Sequence, residues 1–345
     1  MIGRNLMKTT LIAASVAALA ASGALADSFT MQSAFPGLPV LDPTAQRFVE
    51  NVATLTGGEV DFDYLLAGEL SPPTEIFDNV SVGAIDAGWS FAAYAAGKEP
   101  AAALFGSVPF GGDPLSYISW LHHGGGLELW QEMYEPYNIV PMACGVILSE
   151  AGGWYTSEIN SPEDLQGLNI RIGGLGGEIL GRLGANATGI PVGEISTSLE
   201  TGRLDATELS FPLVDVLLGF DEVAKNYYFP GWHQPAGFIE FYMNKDKWDS
   251  LTDQQRTAIE VSCADANLYA MGVAAGAQSE VLDQFRANGV NVQRFPDSVL
   301  DALREAADEV YAENAENDPM FRRVIESYRA YAAAYNEYQA LSDLN

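Results

Sequence analysis

A thirteen-residue unit that occurs twice constrains the fold of this chain more than any other feature of its sequence. The first copy spans residues 75–87 and the second spans residues 194–206. Both copies begin with Glu-Ile, place an apolar residue five positions after that Glu, and end with Gly-x-apolar-Asp-Ala. Such a unit is typical of a short helix, a glycine stop and the start of a strand. Because the copies lie 119 residues apart and agree in order and spacing, they predict two related α/β lobes.

Segments around the first copy predict a parallel α/β sheet. Residues 29–35 and 60–66 have the composition of strands, and residues 44–55 have the apolar periodicity of a helix between them. The order strand, helix, strand is typical of the start of a parallel α/β sheet. Further along, glycines beside aromatic residues at 152–155 and the apolar run 238–243 indicate two strands that cross between lobes.

The last part of the chain is predicted to be mainly helical. A long helix continues towards Phe285, a short strand follows at residues 289–295, and another helix spans residues 296–314. Beyond these, one face of a tail helix carries mainly aromatic side chains: Phe321, Val324, Ile325, Tyr328, Tyr331, Tyr335 and Tyr338. A stripe of this kind packs on its own protein or on a partner, and the sequence leaves both open.

The two copies of the unit also predict where a ligand cleft lies. In parallel α/β sheets, ligands bind beyond the carboxyl ends of the strands. The first copy continues with Gly88-Trp89-Ser90-Phe91, and the second continues with Thr207-Glu208-Leu209-Ser210-Phe211. We therefore expect one lobe to offer aromatic surface and the other to offer a carboxylate.

Arg171 lies in a short alternating strand, residues 169–172, just before a glycine-rich turn and a helix. Its planar guanidinium suits a two-point hydrogen bond to a carboxylate, and the N-terminus of the following helix favours an anion. An isolated arginine more often makes a structural salt bridge. The residue alone therefore leaves both roles open.

Residues 1–26 have the features of a secretory signal peptide. Arg4 and Lys8 precede an apolar run that ends near Ala21, and small residues offer a cleavage site between Ala26 and Asp27. The run is too short for a membrane anchor, and no cysteine lies near the cut to carry a lipid. We expect a soluble protein outside the cytoplasm.

The charge balance of the chain excludes one class of partner. The formal net charge is −29, and it becomes −31 without the leader, which has two basic residues and no acidic ones. Nucleic acid is not expected to bind a surface of this sign. The excess of acid suits solubility and says nothing about the ligand.

Cys144 and Cys263 are the only cysteines. They could pair in an oxidising compartment, but two thiols so far apart in sequence form no recognisable disulfide framework. We expect two buried free thiols.

Several runs of residues resemble one protein family. Residues 159–171, 193–195 and 202–208 resemble the DctP-type solute-binding subunits of TRAP transporters, and the likeness covers nearly the whole chain after the leader. Four further segments resemble the branch of that family that binds 2-oxo and 2-hydroxy monocarboxylates, often with a metal cation: residues 100–105, 124–129, 174–178 and 229–232.

The resemblance implies an α/β fold of the type II-like periplasmic binding protein class. Two lobes are joined by crossover strands and a long hinge-spanning helix, they close on the ligand, and a tail helix follows. The implied ranges are a first lobe of residues 27–150 plus about 237–276, a second lobe of 151–236 plus about 277–317, and a tail helix of 318–345.

The resemblance also assigns roles within the predicted cleft. Arg171 matches the family's carboxylate-binding arginine, and Glu208 matches an acidic residue that coordinates the cation. The expected substrate contacts are Arg171, Glu150, Trp89, Ser90, Phe91, Phe35, Leu209, Phe211 and Gln234. The expected metal contacts are Glu208, Glu150, Leu209 and Gln234.

Three of these positions depart from the pattern of the branch. Leu209 replaces a tryptophan, Glu150 replaces a glutamine and Gln234 replaces a glutamate. The last two changes together keep two carboxylates and one amide. The change at Leu209 is expected to widen the pocket for a bulkier acid.

Counting charges in the cleft predicts a cation. Glu150, Glu208 and an anionic substrate carry three negative charges against the single positive charge of Arg171. Leaving about two charges uncompensated in a closing cleft would cost several kcal/mol, so a cation or a proton is expected. Na⁺ or Ca²⁺ fits an all-oxygen shell, and no organic cofactor is expected. Alternatively, Glu150 meets a cationic group on a zwitterionic solute.

The protein is expected to capture a small carboxylate and to deliver it to the membrane permease subunits of a TRAP transporter. No catalysis is expected. The tail helix is a candidate contact of a homodimer. Alternatives are a receptor for an ATP-driven importer or sensor, and an oligomeric scaffold built on the tail. A secreted enzyme is disfavoured, because no nucleophile-elbow or His-Glu-x-x-His pattern occurs. His122, His123 and His233 are interpreted as packing or surface residues.

Overall fold

The computed structural model describes residues 27–190 and 192–342. The predicted leader, residues 1–26, lies outside them. Within the described ranges, none of the helices combines the length and the apolar character needed to cross a membrane.

The chain alternates strands and helices as predicted. The strands are β1 (Asp27–Ser33), β2 (Val60–Leu65), β3 (Ala87–Phe91), β4 (Ile139–Ile147), β5 (Gly153–Tyr155), β6 (Asn169–Arg171), β7 (Asn186–Thr188), β8 (Ala206–Thr207), β9 (Asn226–Phe229), β10 (Gly237–Asn244) and β11 (Asn291–Arg294). The helices are α1 (Leu41–Leu55), α2 (Ile76–Ser81), α3 (Ala102–Gly106), α4 (Pro114–His123), α5 (Gly126–Tyr134), α6 (Gly174–Arg182), α7 (Ile195–Glu200), α8 (Pro212–Asp215), α9 (Phe220–Val223), α10 (Lys245–Ser250), α11 (Asp253–Ala287), α12 (Asp297–Asn317) and α13 (Pro319–Ser342).

Two sheets form the centres of two lobes. The first sheet has the strand order β2-β1-β3-β10-β4, and the second has the order β11-β9-β5-β8-β6-β7. The strands β1, β2 and β3 run parallel, whereas β10 runs antiparallel to β3 and β4. In the second sheet, β5 runs antiparallel to its neighbours β8 and β9. The two antiparallel strands β5 and β10 are the crossovers, since each enters a sheet directly from the other lobe.

The repeated unit has the same structure in both lobes. Each copy forms a short helix, α2 or α7, followed by a strand, β3 or β8. The aspartate of each copy accepts a backbone N–H from the neighbouring strand: Asp86 from Thr30 at 2.9 Å and Asp205 from Asn169 at 2.9 Å. The repeat therefore exists because the same carboxylate holds the neighbouring strand in register in both sheets.

The helix α11 spans both lobes. It begins with a capping box between Thr252 and Gln255, which satisfies free N–H groups of its first turn. Its N-terminal half packs on the first lobe, where Asn267 donates to the carbonyl of Ala143 at 2.9 Å. Near its C-terminal end, Phe285 packs edge-to-face on Trp154 of the second lobe, with ring centroids 4.9 Å apart. The predicted hinge-spanning helix is therefore present.

Cys144 and Cys263 form a disulfide bond, so the expectation of free thiols is wrong. Cys144 lies on β4 and Cys263 lies on α11, and their Cα atoms are 4.2 Å apart. Both residues are buried in the same cluster of the first lobe. The packing of α11 against the sheet, which the sequence spacing does not reveal, brings them together.

The tail helix α13 packs on its own chain over its first half. The side chains of Phe321, Val324, Ile325 and Tyr328 are buried. The backbone N–H of Gly112 donates to the Tyr328 hydroxyl at 2.7 Å. Farther along the stripe, Tyr331 and Tyr335 are half-buried and Tyr338 is exposed, so coverage by the rest of the chain decreases towards the end of the helix.

The chain passes between the lobes in the predicted order, since β1–β4 and β10 lie in the first sheet and β5–β9 and β11 lie in the second. The lobe ranges of 27–150 plus 237–276 and 151–236 plus 277–317 stay a prediction at the level of individual boundaries.

Candidate functional site

A cavity of about 340 Å³ lies between the two lobes. Phe35, Phe91 and Tyr94 line it from the first lobe. Arg171, Glu208 and Leu209 line it from the second, and Glu150, His233 and Gln234 line it where the chain crosses between lobes. The cavity thus brings an arginine, a histidine and two acidic side chains against an aromatic wall.

Arg171 is the last residue of β6, beside the parallel strand β8. Its Nη1 donates to the backbone carbonyl of Glu208 and lies 3.6 Å from the Glu208 Oε2 atom. Within the part of the chain that the structure describes, its buried Nε atom has no hydrogen-bond partner. An anion entering the cavity could accept a hydrogen bond from this group, which would satisfy it.

Glu208 and Glu150 follow strands from the two different sheets. Glu208 comes directly after β8, and its backbone N–H donates to the carbonyl of Arg171 at 2.9 Å. Glu150 lies between β4 and β5, and its backbone N–H donates to the carbonyl of Gln234 at 3.1 Å. Their exposed fractions are 6% and 4%, so both residues are buried, and these hydrogen bonds fix their backbones beside the cavity.

His233 reaches the two carboxylates from the loop after β9. The loop passes so close to the backbone of Glu150 that a Cβ on Gly231 would lie 2.2 Å from the Glu150 carbonyl oxygen. Glycine is therefore required at that position. The Nε2 atom of His233 lies 3.2 Å from Glu150 Oε2 and 3.1 Å from Glu208 Oε1.

His233 is buried and lines the cavity, so it is not a surface residue, whereas His122 and His123 are exposed. The neighbours of His233 in the cavity are Glu150 and Glu208, and only the fold brings these three residues together. The one signal in the sequence was its place next to Gln234, which was predicted to be in the site.

The three buried groups alter one another's protonation. Burial raises the pKa of Glu150 to about 8. Burial alone would lower the pKa of His233, but the nearby carboxylates, Glu208 first, raise it to about 10. Burial also acts to raise the pKa of Glu208, yet His233 and Arg171 bring it below its ordinary value. The cluster therefore holds positive charge, as protons, close to the two carboxylates near neutral pH.

The same three side chains have the chemistry of a metal site. The Glu150, Glu208 and His233 ligand atoms all lie within 4.8 Å of one another, and all three residues are buried. Carboxylate oxygens and an imidazole nitrogen are both metal ligands. The residues present therefore fit a cation, which is one of the two alternatives, a cation or a proton, that the charge count of the sequence predicts.

Several predicted contacts do line the cavity: Phe35, Phe91, Glu150, Arg171, Glu208, Leu209 and Gln234. Their binding roles stay predictions. Tyr94, from the turn after β3, also lines the cavity, with its ring centroid 5.7 Å from that of Phe91 and 6.4 Å from that of Phe35. No pattern in the sequence indicated Tyr94.

Trp89, Ser90 and Phe211 do not line the cavity, and the expectation that they face the cleft is corrected. Trp89 lies two residues before the end of β3 and is fully buried, with its ring centroid 5.5 Å from that of Phe48. Ser90 is also inside the strand and 4% exposed. Phe211 precedes α8 and is 1% exposed in a hydrophobic core. Only the last residue of β3, Phe91, reaches the cleft from that strand.

Comparison with known proteins agrees with the resemblance inferred from the sequence. The family model of DctP, described as bacterial extracellular solute-binding protein, family 7, matches residues 37–318. The chain is 32% identical over 301 residues to a monocarboxylate 2-oxoacid-binding periplasmic protein of Nostoc sp., covering 87% of this chain and 83% of that protein.

Two solved structures of TRAP solute-binding proteins are similar over most of their length. The protein of Colwellia psychrerythraea, with bound calcium and pyruvate, has a TM-score of 0.88 and 30% identity, covering 92% of this chain and 98% of that one. The protein of Bordetella bronchiseptica has a TM-score of 0.87 and 31% identity, covering 92% and 94%. It is a mixed-occupancy dimer with copurified calcium and picolinate bound in one site. With the family model matching most of its length, this chain belongs to the DctP family of bacterial extracellular solute-binding proteins, family 7.

Proposed function

We propose that this protein captures a small monocarboxylate together with a cation, closes its lobes on the complex, and delivers it to the membrane permease of a TRAP transporter. The observation that carries the proposal is the Arg171 guanidinium in the interlobe cavity. It has a buried Nε without a partner among the described residues, and it lies beside two carboxylates. An anionic ligand bridging Arg171 and a cation on Glu150 and Glu208 would satisfy all of these groups.

The ligand class we propose is a 2-oxo or 2-hydroxy monocarboxylate. Such an acid presents a second oxygen next to its carboxylate, so it can chelate a cation while Arg171 holds the carboxylate. Calcium with pyruvate, a 2-oxo acid, in the Colwellia psychrerythraea relative supports this class.

We further propose that the acid carries an apolar substituent. A cavity of about 340 Å³ is far larger than a three-carbon acid fills, and it is within the range of pockets for drug-sized ligands. Phe35, Phe91, Tyr94 and Leu209 offer the apolar surface against which the substituent would pack.

We propose that the protein is not an enzyme. The acidic and imidazole groups of the site contact one another rather than an activated nucleophile. Consumption of a bound acid by the purified protein would contradict this.

We place the mature protein in the periplasm, released by cleavage between Ala26 and Asp27. The family is extracellular, and the Cys144–Cys263 disulfide suits an oxidising compartment. N-terminal sequencing of the secreted protein tests the cleavage position.

We propose that the exposed C-terminal end of α13 joins two copies of the chain. Beyond the buried residues of its first half, Tyr338 is 68% exposed and Leu341 is 83% exposed. The dimer of the Bordetella bronchiseptica relative supports a homodimer. Exposed aromatic and aliphatic side chains on one helix end are suited to a self-complementary contact.

Calorimetry on the mature protein tests the proposed ligand class. The panel contains pyruvate, 2-oxo acids with longer apolar substituents, lactate and a zwitterionic amino acid, each with and without chelator. Arg171→Ala should weaken binding of every acid by about a hundredfold or more, because it removes one partner of a buried charged contact. Glu208→Gln should weaken binding mainly when a cation is present.

Arg203→Ala is the matched control, since Arg203 makes an exposed ion pair with Glu194 at 3.8 Å outside the cavity. Leu209→Trp should reduce binding of the longer acids more than that of pyruvate by filling the cavity. Full-strength binding by an Arg171→Ala protein that melts like the wild type would refute the role of the guanidinium.

A further inference from the structure

His233 gives the cavity a donor set that sodium and calcium sites do not use. Its Nε2 atom and the carboxylate oxygens of Glu150 and Glu208 come from three separate segments, and their ligand atoms lie within 4.8 Å of one another. The exposed fractions of the three residues are 7%, 4% and 6%. Three buried donors from different segments that converge on one point form a built site rather than a surface cluster of acids.

Among the described residues, the histidine ring makes its hydrogen bonds through one of its two nitrogens. Its Nδ1 atom is buried and has no hydrogen-bond partner in the described ranges 27–190 and 192–342. Nε2, by contrast, is within 3.2 Å of Glu150 and 3.1 Å of Glu208. The polar contacts that orient the ring are therefore those between Nε2 and the two carboxylates.

The identity of the donors decides which ion the site suits. Na⁺ and Ca²⁺ are hard ions that take oxygen ligands, and an imidazole nitrogen in the set gives them no advantage. Imidazole suits the divalent transition-metal ions, whose affinity rises along the first-row series from Mn²⁺ to Cu²⁺ and is lower again at Zn²⁺. A site with one imidazole and two carboxylates therefore favours this class of ion.

The spacing of the donors agrees with such an ion. Ligands that bind at about 2.0–2.2 Å with angles between a right angle and the tetrahedral angle are about 2.8–3.6 Å apart. The separations of 3.2 Å and 3.1 Å from Nε2 fall in this range. Three protein ligands also leave positions open for a ligand from the cavity.

We propose that Glu150, Glu208 and His233 form a mixed carboxylate–imidazole site that selects a divalent transition-metal ion, of the class from Mn²⁺ to Zn²⁺, over Na⁺ and Ca²⁺. The inference rests on the proposed function only for the role of the ion, which is to share its open positions with the oxygens of the captured acid. In the two structural relatives a metal ion is also bound together with a carboxylate, but that ion is calcium. In the absence of a metal, the same contacts are hydrogen bonds between the imidazole and the carboxylates.

The test uses the untagged mature protein after dialysis against chelator. Zn²⁺, Mn²⁺ and Ca²⁺ are titrated separately by calorimetry without any acid, and Co²⁺ is added as a spectroscopic probe of nitrogen ligation. Wild-type protein should bind Zn²⁺ tighter than Ca²⁺ by about a hundredfold or more, and should give visible Co²⁺ bands shifted from those of the aqueous ion.

His233→Gln keeps an amide oxygen near the site and should reduce the Zn²⁺ to Ca²⁺ preference by about tenfold or more. His123→Gln is the matched control, because His123 is exposed on α4. Equal or tighter binding of Ca²⁺ by the wild type, or an unchanged preference in a folded His233→Gln protein, would overturn the proposal. If that variant does not fold, the wild-type preference and the Co²⁺ bands decide the question.

Repeating the titrations with pyruvate separates this inference from the proposed function. Binding of the acid that depends on Arg171 but shows no transition-metal preference would refute the inference and leave the proposed function standing. Tight Zn²⁺ binding with no binding of any acid would refute the proposed function and leave the inference about the metal site standing.

Discussion

Glu240 lies in the interior of the first lobe, on β10 between the strands β3 and β4, and is 1% exposed. The hydroxyl of Tyr134 donates to its Oε2 atom at 3.3 Å. Among the described residues, this is the single hydrogen bond of the Glu240 side chain. A carboxylate with one long hydrogen bond in a hydrophobic core is poorly stabilised when ionised. We therefore expect Glu240→Gln to change how the stability of the protein depends on pH.

The size of the effect follows from the pKa of the carboxyl group. Burial raises the pKa of Glu240 from 4.5 to about 8, and the Tyr134 hydrogen bond only partly opposes this. Because the folded pKa is raised, the stabilisation is fully present below the unfolded pKa and is lost as the pH rises towards 8. The loss is about 1.4 kcal/mol per pH unit and approaches roughly 5 kcal/mol in all.

The assay is urea unfolding of ligand-free wild-type and Glu240→Gln proteins at several pH values between 5 and 8. The free energies of unfolding should be similar near pH 5, and the variant should become the more stable protein by several kcal/mol near pH 8. Contributions from the site residues cancel in the difference. Glu135→Gln, at an exposed glutamate, is the control and should follow the wild type. Parallel profiles for wild type and Glu240→Gln would refute the reasoning.

Two further predictions concern the disulfide and the end of the tail helix. Replacing both Cys144 and Cys263 by serine should lower the free energy of unfolding by up to about 5 kcal/mol, since the bond closes a loop of 119 residues. Equal urea midpoints with and without the bond would contradict this. The double substitution Tyr338→Asp and Leu341→Asp should convert a dimer to a monomer in light scattering without lowering the melting temperature, because both side chains are exposed. An unchanged molar mass would remove the tail from the interface.

Much of the fold and part of the site were accessible from the sequence. The 119-residue offset between the copies predicts two α/β lobes because helix–strand units with the same pattern pack in the same way. The position of Arg171 at the end of a strand and the Asp-Ala-Thr-Glu208 run after another predict a charged cleft. These are local features, and each depends on residues that are close in sequence.

Only the tertiary structure decided which distant residues meet. Cys144 and Cys263 pair because α11 packs on β4, and Trp89 turns into the core because it lies inside β3 rather than at its end. His233 contacts Glu150 and Glu208 because a glycine lets its loop pass against the Glu150 backbone. Contacts between segments depend on how sheets and loops are placed in space, and a short sequence pattern does not encode that placement. The sequence alone therefore determined two lobes around an arginine and a carboxylate, and the fold alone decided that an imidazole completes the site.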